Sequence, residues 1–205
     1  LNFAGDHGTR RILFQLARKT GATTILGRYS RLLVDLNRET DHPQLIWDKH
    51  HNVNIPANQD ISAAEKERRI ENYYASFHNR IRFHIERLLK IGKRPILLTV
   101  HSYTPAVAAA QQHDSPASLP DVGLLYYKES KILNRFEQAY NQSPWSAARN
   151  VPYDLQILQT GSLIMHQKEF GLDGLALEIN VDNLRTLVDR KIWADFISRV
   201  IKYSD

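Results

Sequence analysis

The feature that most constrains the fold is a short apolar run, residues 96–100, that ends directly in His101. Such a run, opened by Pro95, predicts a strand buried on both faces, as in a sheet covered by helices on each side. Ligands of such sheets bind just beyond the carboxyl ends of the strands. His101 is therefore a candidate metal ligand, although a histidine packed in the core is the commoner role for a single residue of this kind.

The rest of the chain alternates predicted helices with predicted strands. Helical periodicity and capping residues predict helices over residues 9–20, 62–92, 129–140 and 182–203, with a short helix or ordered loop over 161–170. Apolar runs predict further strands over residues 23–26, 32–36, 122–126, 145–148 and 175–179. Residues 39–60 have no clear period and are predicted to form a long loop. The alternation predicts an α/β fold of three layers, in which a mostly parallel or mixed sheet has helices on both faces.

Composition excludes several classes of protein. At 205 residues the chain is long enough for one domain with a sizeable core. It has no cysteine, which excludes disulfides and leaves His, Asp and Glu as the expected metal ligands. No apolar run approaches the roughly 20 residues that cross a membrane, and no signal peptide is apparent, so a cytoplasmic location is expected. The basic residues behind the net charge of +5 are dispersed, so neither a nucleic acid nor a membrane partner is expected.

Two further charged features lie in or after predicted strands. Glu178 interrupts the apolar run 175–179, and it is either half of an ion pair or a general base whose pKa is set by a metal and by partial burial. Asn37 and Arg38 follow the run 32–36, where the arginine forms either a surface salt bridge or a clamp for a carboxylate substrate. Together with His101, these residues would supply the base, the anion clamp and the metal ligand needed to hydrolyse an acylated amino acid.

Short motifs along nearly the whole chain carry a family resemblance. They are Asp6 with Gly8 and Thr9, Tyr29-Ser30-Arg31-Leu32, Asp35-Leu36-Asn37-Arg38, Ile55-Pro56 with Asn58, His78, His101-Ser102-Tyr103-Thr104-Pro105, Asn150 with Pro152-Tyr153, His166, and Leu177-Glu178-Ile179. In order and spacing they resemble the N-formylglutamate amidohydrolases, a family similar to the zinc carboxypeptidases and the aspartoacylase group. The resemblance implies a zinc-carboxypeptidase-like (phosphorylase/hydrolase-like) fold.

The resemblance also implies an activity and its residues. The expected enzyme is a zinc-dependent hydrolase of linear amide bonds that removes a short acyl group, formyl in the prototype, from an acidic amino acid such as glutamate, in amino-acid degradation and histidine catabolism. His101 is implied as a ligand of Zn2+ or another divalent metal, and Glu178 and Arg38 as catalytic residues. The implied substrate-binding residues are Asn37, Arg38, Arg31, Tyr103 and Asn58, with Arg28 as an alternative to Arg31 for the side-chain carboxylate.

Two alignments of the first residues stay open. In the gapless one, Asp6-His7-Gly8-Thr9 matches the family's second motif, and the single domain over residues 1–205 is expected to lack the family's N-terminal strand and first metal motif. In the other, Asp6-His7 matches the first motif and a large deletion precedes Leu13. Under either alignment, Asp6 or His7 is the candidate for a further metal ligand.

Departures from the family pattern leave alternatives. Tyr127-Lys128 stands where the family favours Asn-Arg, Tyr74 where it favours His, and Asn180 where an Arg is expected, so the substrate is open. One histidine cannot hold a catalytic zinc, which usually has three protein ligands, so the main alternative is a non-catalytic relative that binds a carboxylate without hydrolysis. A nucleic-acid-binding module is suggested by net charge alone. The sequence does not distinguish a monomer from a homo-oligomer.

Overall fold

The structure, a computed structural model, describes residues 5–50, 53–111 and 119–202. In chain order the helices are α1 (Thr9–Thr20), α2 (Ala63–Arg69), α3 (Ser76–Lys90), α4 (Pro105–Gln111), α5 (Lys131–Asn141), α6 (Leu155–Leu158), α7 (Ser162–Phe170) and α8 (Leu187–Lys202). The strands are β1 (Lys49–His50), β2 (Val53–Asn54), β3 (Leu97–Tyr103), β4 (Val122–Leu125), β5 (Ala147–Arg149) and β6 (Gly174–Asn180). A π-helical segment, Ile70–Ala75, joins α2 to α3, and 3-10 turns occupy Pro56–Asn58 and Val181–Leu184.

Four of the strands form one mixed sheet in the order β3-β6-β4-β5. β3 runs parallel to β6 and β4 runs parallel to β5, whereas β4 and β6 are antiparallel. β1 and β2 pair separately and antiparallel in the loop before α2. The two apolar runs that predicted buried strands, 96–100 and 175–179, thus become neighbours within one sheet.

Helices cover both faces of this sheet. On one face, Val100 of β3 packs in the main apolar core with Ile12 of α1 and Trp193 of α8. On the other face, Ala176 of β6 packs with Leu163 of α7. The predicted α/β class and mixed sheet are confirmed, while the zinc-carboxypeptidase-like detail stays a prediction.

The predicted helices are largely confirmed. α1 ends at Gly21, whose left-handed φ of 72° lets its amide bond back to the helix. Ser62 caps α2, because its side chain accepts a hydrogen bond from the amide of Glu65 at 3.1 Å. Among the described residues, no helix combines the length and apolar character that a membrane span needs.

Two predicted strands are wrong. Residues 23–26 pair with no described strand, and residues 32–36 contain turns and form no strand. In the second segment the buried Asp35 carboxylate accepts a hydrogen bond from the amide of Asn37 at 3.0 Å, and its own amide donates to the carbonyl of Leu45 at 2.7 Å. These bonds replace sheet pairing. Asn37 and Arg38 therefore do not follow a strand, as the sequence predicted.

Candidate functional site

His101 and Glu178 lie side by side on neighbouring parallel strands. They are register partners on β3 and β6, so their side chains leave the same face of the sheet. Leu97 and Ala176, on that same face, pack in the cluster that contains Leu163 of α7. His101 lies two residues before the end of β3, inside the strand and not just beyond it as predicted.

Asp6 reaches this strand pair from the turn before α1. Its Oδ2 lies 3.1 Å from His101 Nδ1, and its Oδ1 accepts a hydrogen bond from the amide of Ser102 at 3.2 Å. Gly8 makes the turn possible, because it has a φ of 86° and a Cβ there would lie 3.0 Å from Leu184 Cβ. The side chains of Asp6 and His101 stay 41% and 26% exposed, so a solute can reach the pair.

The charges of this cluster shift one another's pKa values. Burial raises the pKa of Glu178 to about 7, although the neighbouring His101 acts in the opposite direction. Burial alone would lower the pKa of His101, but the Asp6 carboxylate outweighs it and raises that pKa to about 9. Burial would raise the pKa of Asp6, yet His101 holds it below its usual value. Asp6 and His101 thus form an ion pair, whereas Glu178 can exchange a proton near neutral pH.

Arg31 and Tyr153 border the cluster. Arg31 donates to Asp35 Oδ2 at 2.5 Å, and although burial opposes it, this carboxylate raises the pKa of Arg31, with a smaller contribution from Asp6. Burial, followed by the proximity of the Glu178 carboxylate, raises the pKa of Tyr153 to about 12. Arg31 thus has Asp35 as a partner within the fold, and its contact with a substrate carboxylate stays a prediction.

A pocket of about 500 Å³ opens beside Tyr153. Its lining includes Arg38, Trp47, Lys49, Tyr153, Ile157 and Leu158. The buried Nε of Arg38 has no hydrogen-bond partner in the described parts of the chain. Within those parts, neither Arg38 nor Lys49 forms an ion pair. The pocket therefore presents two cations, Arg38 and Lys49, together with one carboxylate, that of Asp154.

The structure brings Asp6, His101 and Glu178 together and places Arg38 in the adjoining pocket. Tyr153 links the two parts, because it lines the pocket and interacts electrostatically with Glu178 and Asp6. Over the described ranges, no hydrogen bond or ion pair joins Arg38 to His101 or to Glu178. The two strand residues are thus direct neighbours, whereas Arg38 is connected to them through Tyr153.

Three predicted substrate-binding residues use their polar groups within the fold. Asn37 Oδ1 accepts hydrogen bonds from the amide and hydroxyl of Ser162, at 2.7 and 3.0 Å, and so caps α7. Asn58 is buried and donates to two backbone carbonyl oxygens. The Tyr103 hydroxyl donates to the carbonyl of Pro120. Substrate binding by these side chains stays a prediction.

A buried histidine pair lies behind the Asn37–Arg38 segment. His78 Nδ1 is 2.9 Å from His166 Nε2, and His78 Nε2 is 3.1 Å from the carbonyl of Leu36. Because a carbonyl only accepts, His78 Nε2 carries the proton and its Nδ1 accepts from His166. Both residues match family motifs, but no role was predicted for either of them. The available signal was that His78 lies four residues after Tyr74, on the same apolar side of the helix.

Asp6 and His101 also suit a metal ion. A carboxylate oxygen and an imidazole nitrogen are ligand types that zinc prefers, and these two lie close enough to share one ion. His7, the other predicted candidate, is exposed in the turn before α1. No group of three His, Asp or Glu side chains able to hold a metal occurs within residues 5–50, 53–111 and 119–202. The described residues thus offer two of the three protein ligands that a catalytic zinc usually takes.

Comparisons with known proteins give a family match and similar solved structures. The family model described as N-formylglutamate amidohydrolase matches residues 1–184. The chain is similar in structure to gene product Atu2144 from Agrobacterium tumefaciens, with a TM-score of 0.88, 25% identity, and coverage of 98% of this chain and 77% of that one. It also resembles the fold of the N-formylglutamate amidohydrolase from Ralstonia eutropha JMP134, with a TM-score of 0.72, 19% identity, and coverage of 98% and 88%. Among curated proteins, none matches this chain.

Proposed function

Because this chain belongs to the N-formylglutamate amidohydrolase family, we propose that it hydrolyses the amide bond of an N-acyl amino acid, with N-formyl-L-glutamate as its reference substrate. The observation that supports this activity best is the position of Glu178 beside His101, next to a pocket that holds Arg38. The products would be formate and the free amino acid. A cytoplasmic location remains a prediction from the sequence.

Glu178 is the proposed general base and acid. With a pKa raised to about 7, its carboxylate can take a proton from the attacking water and keep it at neutral pH. The water oxygen then forms its bond to the acyl carbon as the carbon–nitrogen bond breaks. Glu178 returns the same proton to the leaving amine nitrogen, so that the carboxylate is regenerated.

Arg38 and Lys49 are the proposed anchors of the substrate. Arg38 lines the pocket, and its planar guanidinium suits a bidentate contact with the α-carboxylate. Lys49 is exposed on the same pocket and can face the side-chain carboxylate of glutamate. Holding the substrate at both ends orients its amide toward the strand pair, and such orientation lowers the barrier by several kcal/mol.

Asp6 and His101 are the proposed protein ligands of a zinc ion or another divalent metal. Bound there, such an ion supplies Lewis-acid polarisation of the acyl carbonyl. Oδ2 of Asp6 and Nδ1 of His101 lie 3.1 Å apart, so one ion would contact both once His101 had released the proton of the ion pair. The finding that only two donors lie together in the described residues also supports the alternative of a non-catalytic carboxylate binder.

Deformylation assays, metal analysis and ligand binding test the two functions together. We expect the purified chain to release formate from N-formyl-L-glutamate and to bind close to one equivalent of zinc. Arg38→Met should raise KM by roughly 10- to 100-fold, because it removes a hydrogen bond to a charged group. Arg87→Met is the matched control, since Arg87 is exposed and does not line the pocket.

Two results would contradict the proposed activity. One is the absence of formate release after loading with zinc, manganese or cobalt. The other is binding of N-formyl-L-glutamate that depends on Arg38, persists in a chelator and is never followed by hydrolysis. The second result would establish the carboxylate binder instead.

A further inference from the structure

The pocket beside Tyr153 has an apolar wall that a small acidic substrate leaves uncovered. Ile157 and Leu158 line this pocket and are 79% and 50% exposed. Large apolar side chains that are exposed together on a concave surface are typical of ligand-binding sites. A formyl group and two carboxylates would bury little of this surface.

Trp47 forms part of the same wall and is held in place before any ligand arrives. Its indole Nε1 donates to Asp35 Oδ2 at 3.2 Å, and the His50 ring lies 4.5 Å from it in an edge arrangement. A wall that is already rigid loses little conformational entropy when a ligand packs on it. The indole therefore offers a fixed apolar surface.

The exposure of Ile157 and Leu158 follows from how α6 is anchored. Asp154 caps this short helix by accepting a hydrogen bond from the amide of Gln156 at 2.8 Å. Leu155 packs beneath it in the cluster with Leu163. Because Leu155 packs against the core, the same turn presents Ile157 and Leu158 to the pocket.

Resting on the proposed function, we propose that the same pocket also accepts N-acyl amino acids with long apolar side chains. The α-carboxylate binds Arg38, as for the acidic substrate. The apolar side chain lies on Trp47, Ile157 and Leu158, where it removes their exposed surface from water. Lys49 is exposed and stays hydrated in that complex. The bonds broken and formed are those of the reference reaction, with water as the only co-substrate.

Three alternative substrates, and two variants with opposite expected effects on substrate preference, test this proposal. The measurement is kcat/KM for N-formyl-L-leucine, N-formyl-L-phenylalanine and N-formyl-L-glutamate. We expect the two apolar substrates to lie within tenfold of the glutamate substrate. The double variant Ile157→Ser/Leu158→Ser should lower the ratio of apolar to acidic kcat/KM at least fivefold, and Lys49→Met should raise that ratio. Ile91→Ser, at an isoleucine that is 63% exposed and outside the pocket, should leave the ratio unchanged.

The possible failures are distinct. Hydrolysis of N-formyl-L-glutamate with apolar substrates more than 100-fold slower would overturn this inference and leave the proposed function standing. An unchanged ratio in the double variant, with melting temperatures showing that the variant is folded, would do the same. Absence of hydrolysis of all three substrates would overturn the proposed function and this inference with it.

Discussion

His101 and Glu178 occupy the same register position on two parallel strands and project from the same face of the sheet. The carboxylate is thereby kept near a cation, which makes its partial burial tolerable. The same burial raises its pKa to about 7. One strand pairing therefore accounts both for the presence of a carboxylate in an apolar strand and for its suitability as a base.

Replacing Glu178 with Gln tests the assignment of the base. We expect kcat to fall by roughly 10²- to 10⁴-fold with little change in KM, because the amide cannot take a proton from water. The melting temperature should not fall, since the variant removes a partly buried carboxyl group. Steady-state kinetics and thermal unfolding measure the two effects. Full activity in a folded Glu178→Gln variant would exclude the mechanism.

Asn37 is expected to stabilise the fold by capping the start of α7. Asn37→Ala removes the acceptor for the amide of Ser162 and should lower the free energy of unfolding by about 1 kcal/mol. Asn37→Asp keeps an acceptor oxygen at the start of the helix and should retain the stability. Urea unfolding of the three proteins measures this. If the alanine variant were as stable as wild type, the capping role would be wrong.

The buried histidine pair should make stability depend on pH. Burial, followed by the proximity of His166, lowers the pKa of His78 from 6.5 to about 4. The unfolded chain therefore binds the proton more readily than the folded chain. The contribution of His78 to the free energy of unfolding is complete above pH 6.5 and is lost as the pH drops from 6.5 toward 4. The His78 contribution is on the order of 3 kcal/mol.

Equilibrium unfolding between pH 7.5 and 4.5 measures this dependence. His78→Gln should flatten the slope, because the amide cannot take up the proton. His84→Gln, on the same helix but outside the pair, should keep the slope of wild type. An equal slope in wild type and His78→Gln would assign the pH dependence to other groups.

Gly123 is expected to tolerate no side chain. It lies opposite Glu178 on β4, and a Cβ there would overlap the carbonyl oxygen of Val151, in the segment that leads to Tyr153. Because that atom belongs to the backbone, Gly123→Ala should destabilise the protein by about 3 kcal/mol. Gly5→Ala, with no atom within 4 Å of its Cβ, is the control. Similar stability of the two variants in urea would show that the Val151 segment can move.

The helices and the strands β3 and β6 followed from local patterns. The apolar period of residues 62–92, the Ser62 cap and Gly21 predicted helices that the structure contains. The runs 96–100 and 175–179 predicted strands that β3 and β6 confirm. The prediction of a strand over residues 32–36 failed because the Asp35 carboxylate accepts a hydrogen bond from the amide of Asn37 within a turn. The apolar pattern does not show which side chains will bind the backbone in this way.

By itself the sequence determined the chemistry available: no thiols, a histidine and a carboxylate in separate apolar runs, and an arginine after a third. Only the tertiary structure decided which of these groups meet. Strand order placed Glu178 beside His101, and the turn at Gly8 brought Asp6 to them. Asp35 paired with Arg31, whereas Arg38 came to line the pocket beside Tyr153. The physical reason is the distance along the chain over which each effect acts. Periodicity and capping involve residues a few positions apart in the sequence. The pKa of a charged group and its partner depend on which groups folding brings within a few ångströms of it.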